Sequence, residues 1–91
     1  MNTRSQVLDE AKKLINGPRE DHYGSPESNF GSTAKMWSAY LGYAVSPRDV
    51  CNMMALLKLS RLRRGPHTDS SVDAAGYLAL GAEVAEVRNE S

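Results

Sequence analysis

The stretch VCNMMALLKLSRL, residues 50–62, decides the fold class. It is apolar on nearly every side, which reads as a helix and marks it as the most buried one of the domain. Its start is written just upstream. Ser46 suits an N-cap, Pro47 suits a first turn that needs no amide donor, and Asp49 stands where a capping box places its acid. Arg63 and Arg64 follow at the C-terminal end, where positive charge meets the negative pole of the helix dipole.

Three more helices surround this one. TRSQVLDEAKKLI, residues 3–15, places Val7, Leu8, Ala11, Leu14 and Ile15 at helical spacing, with Thr3 as N-cap and Gly17-Pro18 as a stop. A second helix starts at Pro26 behind the cap Ser25 and ends at Gly42, with Phe30, Ala34, Trp37 and Leu41 as its apolar stripe. After Gly65-Pro66 a last helix is expected from about Ser71 to Arg88, its inward seam made by Asp73, Tyr77, Leu80, Val84 and Val87. The rest of that helix is rich in Ala and Gly, which permits a close approach either within the chain or between subunits. No stretch alternates with period two and no segment repeats. The expectation is an all-α fold, a compact bundle of about four helices in one domain over residues 1–91 that assembles into a homo-oligomer.

Bulk composition narrows the functions. A chain of 91 residues buries a modest fraction of its surface, so its stability is thin or borrowed from a partner. Eleven Lys and Arg balance eleven Asp and Glu, leaving no global field for nucleic acid or an anionic membrane. RLRRGPH, residues 61–67, is short and sits at a helix end, where basic residues are expected anyway. The lone Cys51, in an apolar run, reads as a small core residue. Neither a signal peptide nor a membrane span is written in the chain, so a cytoplasmic location is expected.

Candidate chemistry collects in two places. Lys58 and Arg61 interrupt the apolar helix three residues apart, where each needs an anion. One reading is snorkelling or an internal ion pair; the other is a phosphate or carboxylate ligand held by a point charge and a planar fork. Asp73 heads the inward seam of the last helix, either as a capping-box acid after Ser70 or as a carboxylate facing Lys58, Arg61 or a metal. The second place is DHYGSPESNF, residues 21–30, in a first connection of about eleven residues, longer than a bundle needs. SPESNF is explained by helix capping, whereas Asp21, Tyr23 and Asn29 are left over as candidates to border a pocket. Tyr23 and Trp37 read as core aromatics or as a platform for a base. His22 and His67 read as exposed loop residues rather than metal ligands.

DHYGSPESNF, MWSAYLG, DVCNMMALLKLSRL and DSSVDAAGYLALGAE together resemble a family of small proteins found in tailed phages and prophages, over about residues 19–83. More distantly, the chain resembles all-α MazG-like nucleotide pyrophosphohydrolases, in which an Asp inside a helix follows an upstream acid much as Asp73 follows Asp69. That resemblance implies a magnesium site, but those enzymes also use a Glu-x-x-Glu pair on an earlier helix. Here NFGSTAKMWSAYL, residues 29–41, has no acid at all.

The resulting expectation is a binder rather than a hydrolase. Asp21, Tyr23, Asn29, Trp37, Lys58, Arg61, Asp73 and Tyr77 would hold a nucleotide or related phosphorylated small molecule without a cofactor. The phage-family resemblance suggests a nucleotide immune signal sequestered by the phage. A reduced MazG-like hydrolase using Asp69 and Asp73 with magnesium is the first alternative. A module that blocks a host protein through the small-residue face of the last helix is the second.

Overall fold

The computed structural model describes residues 3–17 and 25–89. Among these residues four helices follow one another: α1 (Arg4–Asn16), α2 (Pro26–Leu41), α3 (Pro47–Ser60) and α4 (Thr68–Asn89), with a 3-10 turn, Arg61–Arg64, between α3 and α4. No strand occurs among the described residues, so the all-α, four-helix expectation holds.

Local chemistry accounts for most helix ends. At α1, the Gln6 N–H donates to Thr3 Oγ1 at 3.2 Å and the Thr3 N–H donates to Gln6 Oε1 at 2.7 Å, a reciprocal capping box. At α3, Ser46 and Asp49 make the same pair of bonds, each 3.0 Å long. Ser25 accepts from the Ser28 N–H ahead of α2, and Gly42 closes that helix at φ 67°, a left-handed conformation that glycine adopts without a Cβ penalty. Ser38 then clasps the turn: its Oγ accepts from the Val45 N–H at 2.8 Å and donates to the Val45 carbonyl at 3.2 Å.

Two helix boundaries differ from expectation. The apolar helix ends as α-helix at Ser60, and its last turn tightens to 3-10 geometry through Arg64 before Gly65 at φ 128°. The last helix starts at Thr68, about a turn before Ser71. Its cap is His67, whose carbonyl accepts from the Ser70 and Ser71 N–H groups. His67 Nδ1 also accepts from the Ser70 N–H at 3.2 Å and lies 2.7 Å from Ser70 Oγ. Ser70 is thereby satisfied although almost fully buried, and Asp73 falls in the second turn, too far along to serve as a capping-box acid.

α4 is central. α3 and α1 pack on it, and α2 packs chiefly on α3. The core unites Phe30, Ala34, Val50, Cys51, Leu80 and Val84, with Ile15, Trp37, Val45, Met54 and Tyr77 around it. Cys51 is fully buried, as its apolar setting suggested. Gly76, Gly81 and Ala74 of α4 serve this packing within the chain, whereas Ala79 and Ala82 are exposed. A Cβ on Gly81 would stand 3.0 Å from Cys51 Cβ on α3, and one on Gly76 would stand 3.1 Å from Ile15 Cγ2 on α1.

α3 is not the buried helix that its composition suggested. Val50, Cys51 and Ala55 are buried, but Met53, Leu56, Leu57 and Leu59 are exposed. The physical reason is that both α2 and α4 pack against one flank of α3, and among the described residues no element covers the other. Of nine leucines in the sequence, Leu80 alone is buried. The Phe30, Ala34, Trp37, Leu41 stripe of α2 likewise runs from buried Phe30 and Ala34 to exposed Leu41.

The α3–α4 approach predicts opposite outcomes at two helical glycines. Gly81→Val places branched carbons against the Cys51 Cβ, which belongs to a packed helix, and costs about 1–3 kcal/mol of stability. Gly31→Ala, where a Cβ meets nothing within 4 Å, raises stability by about 0.5–1 kcal/mol. Urea unfolding followed by circular dichroism measures both.

Candidate functional site

The antiparallel α3–α4 seam carries a polar pair. Two turns along α3 from Cys51 stands Lys58, and two turns back along α4 from Gly81 stands Asp73, so the close contact at one level aligns the pair at the next. Lys58 Nζ lies 3.1 Å from Asp73 Oδ2, and their side chains are 16% and 29% exposed. Both are drawn largely out of water, where an ion pair is screened less than on the surface and each charge needs the other.

This pair opens onto a cleft of about 250 Å³. Lys58, Asp73 and Tyr77 line it together with Leu14, Ile15, Gly76 and Leu80. α1 contributes its C-terminal end, and the absent side chain at Gly76 lets Ile15 close in. Tyr77 is braced by Phe30, ring centroids 6.4 Å apart and the planes inclined at 71°, an edge-to-face contact. The cleft therefore has a cation, a carboxylate and a phenol over an aliphatic floor, a set that can orient a small polar molecule by its charged and hydroxyl groups.

Of the residues singled out in the sequence, Lys58, Asp73 and Tyr77 meet in this cleft. Arg61 does not line it; the 3-10 turn carries Arg61, which is exposed. Trp37 is half-buried against the core, consistent with its packing role. Asn29 sits in the first turn of α2, half-buried, its carbonyl accepting from Thr33 Oγ1 at 3.0 Å. Asp21, His22 and Tyr23 lie outside the described residues. Asp69 is exposed in the first turn of α4, and among the described residues no three His, Cys, Asp or Glu side chains gather as a metal-binding group. Sequence reasoning missed Leu14, Ile15, Gly76 and Leu80 as lining residues. Leu14 and Ile15 read only as the apolar stripe of an amphipathic helix, and no local pattern says which side chain such a stripe meets.

A family described as Domain of unknown function (DUF6378) matches residues 6–85. The chain belongs to the DUF6378 family. The matched span contains the whole cleft, from Leu14 to Leu80. The chain is 44% identical over 72 residues to the Gene 55 protein of Mycobacterium phage D29, covering 78% of this chain and 48% of that protein. It is 42% identical over 76 residues to the Gene 55 protein of Mycobacterium phage L5, covering 81% and 49%. The resemblance to a small phage protein family is thus supported, and the chain spans about half the length of the curated relatives it matches. No solved structure matches it. Among the described residues no helix is long and apolar enough to cross a membrane.

A double-mutant cycle tests whether Lys58 and Asp73 act as a unit. Lys58→Met and Asp73→Asn are each expected to lose about 1–3 kcal/mol, because each strands a largely buried charge. The double variant should lose less than the sum by roughly 1 kcal/mol. Strictly additive losses in urea unfolding would show that the two charges do not act on each other.

Proposed function

We propose that the cleft between α1, α3 and α4 binds a nucleotide or a related phosphorylated small molecule, in the manner of a phage protein that sequesters a nucleotide immune signal. The observation that carries this reading is the Lys58–Asp73 pair at the wall of the cleft, with Tyr77 beside it. An ammonium donates to phosphate oxygens, a carboxylate accepts from ribose hydroxyls, and a phenol ring offers an apolar face with a polar tip. With no ligand, each charge satisfies the other. A ligand that brings both a phosphate and a hydroxyl replaces that contact with two charge-assisted hydrogen bonds and leaves neither group unpaired. The cleft volume of about 250 Å³ suits a phosphoribosyl portion, with a base extending beyond it.

The reading stops at binding. A hydrolase would draw on Asp69 and Asp73 for magnesium, but Asp73 already has an ammonium 3.1 Å away, a fixed cation that competes with a metal for the same oxygen. The reading includes assembly with copies of itself, since a chain with most leucines outside its own core leaves apolar surface to be covered.

Calorimetric titration with cyclic and linear nucleotides and ADP-ribose-type compounds tests it. At least one is expected to bind and to be recovered intact from heat-denatured protein. Lys58→Met should weaken that binding about 10- to 100-fold, the range for losing a hydrogen bond to a charged group. Heat from none of them, or unchanged affinity in folded Lys58→Met, defeats the reading.

A further inference from the structure

The flank of α3 turned away from α2 and α4 is apolar and exposed. At 100° per residue, Met53, Leu56, Leu57 and Leu59 occupy one arc opposite buried Val50, Cys51 and Ala55. Leu56, at the middle of that arc, is 62% exposed.

We propose that this flank of α3 is a docking surface for a second copy of the same chain, forming a twofold dimer with the two α3 helices antiparallel and crossing near Leu56. Charge placement favours a second copy over another partner. In a twofold contact, residue i of one copy meets residue j of the other and j meets i. Asp49 and Arg63, both exposed, stand seven residues before and seven residues after Leu56. Antiparallel pairing about Leu56 therefore brings the acid of each copy to the base of the other, at both ends of an apolar centre. A parallel pairing would set like charges together. The net charge of zero adds no long-range repulsion between copies. This inference rests on the self-assembly part of the proposed function, whose surface it names, and it is independent of the ligand part, because the flank and the cleft share only α3 and no residue.

Light scattering of the purified chain tests it. The wild type is expected at twice the chain mass and Leu56→Glu at the single-chain mass, with its helical circular dichroism kept because Leu56 is outside the core. Leu8→Glu, an equally exposed leucine on α1, should remain a dimer. If the glutamate variant loses helicity, Leu56→Cys decides instead: with Cys51 fully buried, oxidation should join two copies through residue 56, and the same change at Leu8 should not. The proposal is overturned by a wild type that stays at single-chain mass at its highest soluble concentration, by a dimer that survives folded Leu56→Glu, or by the absence of the residue-56 cross-link where that variant is the one used. A wild-type monomer would assign the flank to a different protein.

Discussion

The contact between Gly81 and Cys51 is the constraint from which the rest of the molecule follows. With a Cβ on Gly81 only 3.0 Å from the Cys51 Cβ, no larger side chain fits between α3 and α4 at that level. Antiparallel helices held that closely keep their side chains in register for several turns. Two turns further, the register sets Lys58 opposite Asp73 at 3.1 Å. Gly76 repeats the device against Ile15 and draws the end of α1 to the same place. Three close approaches along one long helix thus build both the core and the cleft.

The same architecture explains the inverted use of leucine. Where α3 meets α4 the core is closed by glycine, valine and cysteine, a tight contact that leaves little room there for large aliphatic side chains, and Leu80 is the one leucine it buries. Those side chains lie outside, on α1, the end of α2 and above all the free flank of α3. A helix apolar all round is ordinarily enclosed, and here the described residues enclose only one flank of α3. The cleft and the exposed flank occupy different sides of α3 and share no residue.

Helix starts and stops were legible because capping is a dialogue between residues three apart. Ser46 with Asp49, Ser25 with Pro26, and Gly42 as a left-handed stop all stand where the local pattern puts them. The start of α4 shifted for the same kind of reason: the His67 ring and carbonyl cap α4, a role more familiar from serine or aspartate, and the helix gains about a turn. In the site, Lys58, Asp73 and Tyr77 were legible as polar or aromatic residues on apolar helices, which need partners. Arg61 belonged to the same pattern, but it stands exposed at the start of the 3-10 turn and does not line the cleft.

By itself, then, the sequence determined four helices, their caps and the list of side chains that require a partner, because hydrophobic period and capping act within a few residues along the chain. It did not determine which half of α3 would be covered, nor that Asp73 would be the anion for Lys58 rather than a helix cap. Those outcomes belong to the tertiary structure. They depend on how closely two helices approach, and that distance is set where a glycine on one meets a small side chain on the other, 30 residues away along the chain.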